Sequence, residues 1–230
     1  MNQLFLLSIP FFAVSAFHLA STFFKNQKIA DITKITLMPL LALVPLTTTN
    51  CTEIQFHELT MLTIAIIAGC FGDYFMIKPQ AKKNYLMGIL FFSIGHAFYI
   101  TLTVLRQPPY FSVVPFIILV LIYAIFITPM YFMLKKPKGF IGFATVAYAC
   151  ILMIVNYFCL SPIIEAICLK QAISDLDKSI FIRLAGNLVF LLSDSVLSMT
   201  IFTKDFKYSR FVIMVTYLSA QYLLVLSFLA

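Results

Sequence analysis

Charged residues are scarce in this chain of 230 residues. Only 11% of them are charged, whereas 62% are hydrophobic, and ordinary soluble domains are about one quarter charged. With a mean hydropathy of +1.00, the chain has too little polar surface to cover a water-soluble globule. No polar stretch as long as a bilayer-crossing helix, about 20 residues, separates its apolar runs. The sequence therefore predicts one transmembrane helical domain over residues 1–230.

Familiar catalytic and metal-binding motifs are also lacking. The chain has no G-x-S-x-G elbow, no H-E-x-x-H helix and no glycine-rich phosphate loop. His18 has no polar partner on its own helix face and His57 lies in a loop, so neither is assigned to a site. A histidine-rich metal centre is therefore not expected, and the prediction includes no metal and no cofactor. A carboxylate-bound metal is the alternative left open.

The five cysteines show no C-x-x-C spacing, and their number is odd. Inside an apolar run, a free thiol behaves as a small hydrophobic group, which is the expectation for Cys70 and Cys150. Cys51, Cys159 and Cys168 lie near the predicted external face. One disulfide among these three is left open.

Apolar runs of membrane-spanning length recur along almost the whole sequence. They predict an all-α, polytopic bundle of about eight helices, with spans near residues 4–24, 33–49, 58–77, 84–104, 112–134, 139–160, 180–202 and 208–229. The first run is too long for the core of a signal peptide and has no basic residue before it, so it is interpreted as a span. The intervening segment 161–179 is predicted to be either an amphipathic surface helix or a plain loop.

Basic residues are unevenly distributed between the loops. Of sixteen in total, the loops that follow spans one, three, five and seven hold twelve: Lys25, Lys28, Lys34, Lys78, Lys82, Lys83, Lys135, Lys136, Lys138, Lys204, Lys207 and Arg210. The other loops hold Arg106, Lys170 and Lys178, and Arg183 stands at a helix entrance. Because basic loops face the cytoplasm, both termini are predicted on the non-cytoplasmic side. Nucleic-acid binding is not expected from lysines placed in this way.

Two aspartates interrupt the apolar spans. Asp73 lies about one turn from the cytoplasmic end of span three, and Asp194 about two turns from the same end of span seven. Carboxyl groups are costly in hydrocarbon and usually face a polar cavity. We therefore predict two buried carboxyls at similar depth in the cytoplasmic half. A purely structural role is the alternative for each.

Other polar residues are expected to surround these aspartates. His96 and Tyr99 are spaced i,i+3, Tyr217 and Gln221 are spaced i,i+4, and Asn187 precedes Asp194 by seven residues, so each set shares a helix face. Lys34, at the entrance of span two, is expected to be a cation that pairs with a phosphate or a carboxylate. The alternative for Lys34 is a plain positive-inside residue, and the alternative for the other residues is packing or hydrogen bonding between helices. The predicted substrate-binding set is Lys34, His96, Tyr99, Asn187, Tyr217 and Gln221.

Four segments in order resemble the motifs of the YhhN-like lysoplasmalogenases. The first two are Ile67–Ile77, which contains Gly72-Asp73, and Gly88–Tyr99, which contains a G-H-x-x-Y pattern. The other two are Gly186–Ser195, with G-x-x-x-F-x-x-S-D, and Thr216–Gln221, with T-Y-x-x-A-Q. The resemblance extends from about Lys34 to the C-terminus.

This resemblance implies hydrolysis of the vinyl-ether bond of a lysoplasmalogen to a fatty aldehyde and glycerophosphoethanolamine or glycerophosphocholine. The presumed acid residues of the family correspond to Asp73 and Asp194, and the expected partners are the lysophospholipid, water and membrane lipids. A proton-coupled transporter of a lipid or small solute is the main alternative, although no inverted repeat is visible. A different lysolipid substrate and a non-catalytic lipid-binding bundle are further alternatives. Short loops favour a bacterial inner membrane.

Overall fold

Eight α-helices make up nearly all of the part of the chain described by the computed structural model, which is residues 2–48, 54–108, 113–133, 139–203 and 205–230. No strand occurs in these ranges. In chain order, α1 to α8 are Asn2–Phe23, Gln27–Thr47, Phe56–Phe75, Lys82–Arg106, Val113–Met133, Phe140–Cys168, Lys178–Phe202 and Ser209–Leu229. The predicted all-helical bundle is therefore confirmed.

Seven helices are long and apolar enough to cross a membrane, counted over the described residues. The remaining one, α5, has 21 residues, and several of its side chains lie outside the described set. Prolines occur inside α1, α2 and α6 at Pro10, Pro39, Pro45 and Pro162. A membrane helix tolerates them because neighbouring groups satisfy the freed backbone. The chain is thus a multi-pass membrane protein.

Two helix boundaries differ from the predicted spans by more than two residues. Helix α2 begins at Gln27, six residues earlier than predicted, because the Asn26 side chain accepts a hydrogen bond from the Ile29 amide and caps a polar first turn. Helix α6 continues through Pro162 to Cys168, so neither a separate surface helix nor a plain loop forms over 161–168. The apolar residues of this segment extend a spanning helix, and a short 3-10 helix at Ile173–Asp175 follows.

Side-chain contacts show which loops share an end of the bundle. Phe23 stacks on Tyr208 with ring centroids 5.4 Å apart, and the Arg210 guanidinium donates to the Gln27 side chain. The α1–α2 and α7–α8 connections therefore lie together. Which end faces the cytoplasm stays a prediction. Lys135, Lys136, Lys138 and Lys204 of the basic loops lie outside the described residues.

The opposite end is closed by an ion pair between the start of α3 and the end of α4. The Arg106 guanidinium donates two hydrogen bonds to the Glu58 carboxylate, at 2.8 and 3.0 Å. Such a bidentate pair fixes both position and angle. It joins the start of α3 to the end of α4, so the two helices run antiparallel, and the C-terminal half of α3 lies beside the N-terminal half of α4, where Phe75 stacks on Phe91.

Arg183 lies in the N-terminal part of α7, in agreement with its predicted place at a helix entrance, and its side chain is buried inside the bundle. It is 2% exposed, its guanidinium lies 4.4 Å from the ring centroid of Phe228, and it donates to the carbonyl oxygen of Ser227 at 3.3 Å. All of these partners are on α8. The guanidinium therefore ties the N-terminal part of α7 to the C-terminal end of α8.

The cysteines of the described residues are free thiols. Cys159 is buried and Cys168 is exposed, and neither is in a disulfide. Cys51, the third cysteine considered for a disulfide, lies outside the described residues. Cys159 instead accepts a hydrogen bond from the Asn187 amide at 3.4 Å, which joins α6 to α7.

Candidate active site

Asp73 lies near the C-terminal end of α3, and its carboxyl group has partners from two other helices. The Lys34 ammonium of α2 lies 3.5 Å from Oδ1, and the Tyr217 hydroxyl of α8 donates to Oδ2 at 2.8 Å. Asp73 is buried. A buried carboxylate is retained at low cost only when it is paired and hydrogen-bonded, and these contacts meet both conditions.

The polar contacts continue from Tyr217 across the bundle. The Gln221 amide, one turn further along α8, donates to the Tyr217 hydroxyl at 3.4 Å. Its carbonyl oxygen accepts from the Tyr99 hydroxyl of α4 at 3.1 Å. All three side chains are buried. Because one network satisfies them together, the orientation of Tyr217 toward Asp73 is fixed.

Asp194 on α7 accepts a hydrogen bond from a different tyrosine, Tyr148. The Tyr148 hydroxyl of α6 donates to Asp194 Oδ2 at 2.6 Å, within the range of a strong charge-assisted hydrogen bond. Asp194 is partly exposed, which corrects the expectation that both aspartates are buried. It lies close enough to Asp73 and Lys34 to interact with both charges. The two carboxyls therefore belong to one electrostatic site.

Aromatic rings separate the two tyrosine–aspartate pairs. Phe190 is fully buried, and its ring centroid lies 5.7 Å from that of Tyr217 and 4.5 Å from that of His96. His96 in turn lies 6.0 Å from Tyr148, and Phe92 contacts both Phe190 and Tyr217. The resulting apolar wall is a buried aromatic cluster with a tyrosine–aspartate pair on each side of it.

His96 combines burial with an unsatisfied nitrogen. Its Nδ1 lies 2.9 Å from the carbonyl oxygen of Phe92, one turn earlier on the same helix. Its Nε2 is buried and has no hydrogen-bond partner among the described residues. An unpaired buried polar atom is costly.

Two glycines let the helices of the site approach one another. A Cβ atom at Gly72 would lie 2.8 Å from the Phe92 ring, which is inside van der Waals contact, so the α3–α4 packing requires glycine there. A Cβ at Gly69 would meet its nearest atoms, on Gln221 and Tyr217, at 3.6 and 3.7 Å. Gly69 therefore lies directly beside the hydrogen-bonded network of Asp73.

Most of the predicted site residues meet, but one does not. Lys34, His96, Tyr99, Tyr217 and Gln221 all lie in the network around Asp73 or along the aromatic wall. The Asn187 amide, however, donates to the Arg183 carbonyl and to Cys159. Seven residues return a side chain to the same helix face but displace it by about 10 Å along the axis, so Asn187 lies toward the other end of the bundle.

The structure adds residues that sequence reasoning missed. Tyr148 is one of several hydroxyl-bearing residues in α6, together with Thr145, Tyr157 and Ser161, so no signal in the sequence distinguished it. His18 is buried, and its Nδ1 lies 2.7 Å from Thr33 Oγ1 on α2, beside Lys34 in sequence. Its polar partner is therefore on a neighbouring helix and not on its own face. Within the described part of the chain, no group of three or more metal-ligating side chains assembles.

The helices and the site define a class: a polytopic membrane protein with two tyrosine-bonded aspartates between its spans. The family model described as the YhhN family matches residues 29–228, which includes every helix of this site. The chain therefore belongs to the YhhN family. No curated protein and no solved structure matches it significantly.

Proposed function

We propose that this protein is a membrane hydrolase that cleaves the vinyl-ether bond of lysoplasmalogens. The products are a fatty aldehyde and glycerophosphoethanolamine or glycerophosphocholine. Family membership supports the general assignment. The observation that carries the proposal is the pairing of each aspartate with a tyrosine hydroxyl, on either side of an apolar wall. The protein is proposed to reside in a bacterial inner membrane.

Enol-ether cleavage needs few functional groups. An acid transfers a proton to the β-carbon of the vinyl ether, which leaves an oxocarbenium ion. Water adds to the cationic carbon and loses its proton to a base, and the resulting hemiacetal collapses to an aldehyde and an alcohol. Two carboxyl groups are sufficient for these proton transfers, and a nearby negative charge stabilises the cation.

The contacts of the two aspartates support different roles. Asp73 has the Lys34 ammonium at 3.5 Å, a neighbour that holds a carboxylate in place to receive the proton of water. Asp194 has no cation within 4 Å among the described residues, and it is the more exposed of the two. We therefore assign proton donation to Asp194 and water activation to Asp73. Tyr148 and Tyr217 orient the two carboxyl groups.

The test is aldehyde release from a defined lysoplasmalogen by purified protein in an uncharged detergent. Asp73→Asn and Asp194→Asn are each expected to lower the rate by at least about a hundredfold, a typical contribution of a general acid or base. Asp175→Asn is the matched control, because Asp175 is exposed in the 3-10 helix. A folded Asp194→Asn variant with the wild-type rate contradicts the assigned acid.

The same assay separates the hydrolase from a transporter. Detergent-solubilised protein has no gradient across it, so a proton-coupled carrier forms no product there. Aldehyde and free fatty acid are measured separately, since fatty acid without aldehyde indicates hydrolysis of an ester and not of the enol ether. Absence of both products across a panel of lysolipids contradicts the proposed activity.

A further inference from the structure

A cavity of about 410 Å³ opens at the end of the bundle where α1 meets α2 and α7 meets α8. Its wall includes three basic residues, Lys25, Lys207 and Arg210, and one acidic residue, Asp205. The Asp205 carboxylate accepts a hydrogen bond from the Ser209 hydroxyl. Basic charge therefore predominates in a concave site, and the reaction steps above do not use it.

Two helix N-termini add to the positive charge. Helices α2 and α8 begin on the cavity wall at Gln27 and Ser209. Ser21 and Thr22 also line the cavity, and their hydroxyls donate to the carbonyl oxygens of His18 and Leu19. The first amides of a helix lack partners within it and favour an anion nearby. A phosphate group has several acceptor oxygens, and an arginine binds it through two parallel hydrogen bonds.

Aromatic side chains indicate that this anion belongs to a lipid. Phe206, Tyr208 and Phe211 line the cavity, and the first two are each 40% exposed. Tyrosine and tryptophan rings collect at the level of lipid headgroups, and Tyr208 is the cavity residue of this type. A basic cavity with such a rim matches a phosphate that is anchored at the membrane surface.

The cavity and the aspartate site share two helices. Ala30 on the cavity wall precedes Lys34 by four residues, a rise of about 6 Å along α2. Phe211 on the wall precedes Tyr217 by six residues, about 9 Å along α8. In a lysophospholipid the phosphate and the ether oxygen are attached to opposite ends of one glycerol unit. A separation of this size therefore suits the two ends of a single lysolipid headgroup.

We propose that this cavity binds the headgroup phosphate of the lysophospholipid, with Lys207 and Arg210 as its main ligands. The inference rests on the proposed hydrolase, because it orients the substrate with its phosphate at the basic end and its ether bond beside Asp73 and Asp194. The two basic side chains then select lipids that carry a phosphate. A monoglyceride ether of the same chain length lacks the recognised group.

The test measures binding without turnover. The probe is a saturated 1-O-alkyl lysophosphatidylethanolamine, whose ether has no double bond to protonate, and its reference is the 1-O-alkylglycerol with the same chain. Dissociation constants are measured for the full-length protein in an uncharged detergent. Lys207→Ala/Arg210→Ala is compared with Lys28→Ala/Lys83→Ala, which removes two exposed lysines that do not line the cavity. Lys207→Arg/Arg210→Lys retains both charges.

The wild type is expected to bind the lysolipid at least about tenfold more tightly than the alkylglycerol, the effect of a charge-assisted contact. The cavity double variant is expected to lose this preference, whereas the control pair and the charge-retaining pair keep it. Wild-type preference in the cavity double variant overturns the inference. Equal competition by inorganic phosphate or by phosphatidylglycerol also overturns it, because the cavity is then a general anion site.

The binding result is independent of catalysis. A wild type that prefers the lysolipid, loses that preference in the cavity variant and releases no aldehyde supports the cavity and contradicts the hydrolase. An active hydrolase whose cavity variant binds both probes as the wild type does retains the proposed function and refutes the phosphate site. Because Lys207 and Arg210 are exposed, their removal is compatible with folding, which a thermal melt verifies.

Discussion

Tyr148→Phe removes one hydroxyl group and leaves the ring of the residue in place. In the native protein this hydroxyl donates to Asp194 Oδ2 at 2.6 Å. Asp194 becomes charged as it gives up its proton, and a hydrogen bond to a charged group contributes about 1.5–3 kcal/mol. If it orients the acid in the transition state, kcat/KM for a lysoplasmalogen falls by about 10- to 150-fold, at about 1.4 kcal/mol for each factor of ten.

Tyr85→Phe is the matched control for this substitution. The Tyr85 hydroxyl of α4 lies 3.0 Å from Thr145 Oγ1 of α6. It therefore also forms a contact with α6, but its partner is not an aspartate. Both variants lose one buried hydroxyl, and their melting temperatures are expected to fall by similar small amounts. Only Tyr148→Phe is expected to lose activity.

The assay couples aldehyde release to the oxidation of NADH by an alcohol dehydrogenase, with purified protein at several substrate concentrations. A fall in kcat with little change in KM is expected, because the tyrosine contacts the acid and not the lipid headgroup. Tyr148→Phe with activity within about twofold of wild type, in a protein that melts normally, refutes the role assigned to this hydrogen bond. Equal losses in the two tyrosine variants refute its specificity.

Two further predictions concern stability. Lys34→Met is expected to destabilise the protein by about 3 kcal/mol because it leaves the buried Asp73 carboxyl without its cation, and adding Asp73→Asn is expected to restore most of that loss in thermal unfolding. Gly72→Ala is expected to destabilise the protein by about 1–3 kcal/mol because the new methyl group overlaps the Phe92 ring. Gly69→Ala is the control, because its nearest contact would be at 3.6 Å. Equal melting temperatures for the two glycine variants contradict the packing described.

The helices were predictable because a bilayer fixes their length. The ends of the helices were less predictable. A search for apolar runs misses a helix that begins with a polar turn, and it ends a helix at a proline that the membrane tolerates. Helix α2 starts at a capped polar turn after Asn26, and α6 passes straight through Pro162. In both cases the backbone continues because its hydrogen bonds are satisfied, which a search for apolar runs does not detect.

The site was predictable only in part because its contacts join distant segments. Asp73 and Tyr217 were both selected as polar residues inside spans, but their hydrogen bond connects positions 144 residues apart. Periodicity shows which side of a helix a residue occupies and not which helix faces it. Asn187 was therefore predicted to join the site because it shares the helix face of Asp194, although its partners are Cys159 and Arg183, and the partner of Asp194 on α6 was not identified.

Arg183 has a consequence for how the chain is made. Its guanidinium finds its partners at Ser227 and Phe228, which belong to α8 and are therefore synthesised after α7. If α7 entered the bilayer alone, an unsatisfied cation would face hydrocarbon, at a cost of a few kcal/mol. We therefore expect α7 to wait at the translocon and to enter the lipid together with α8, so that a ribosome stalled before Ser227 holds a chain whose seventh span is not yet inserted.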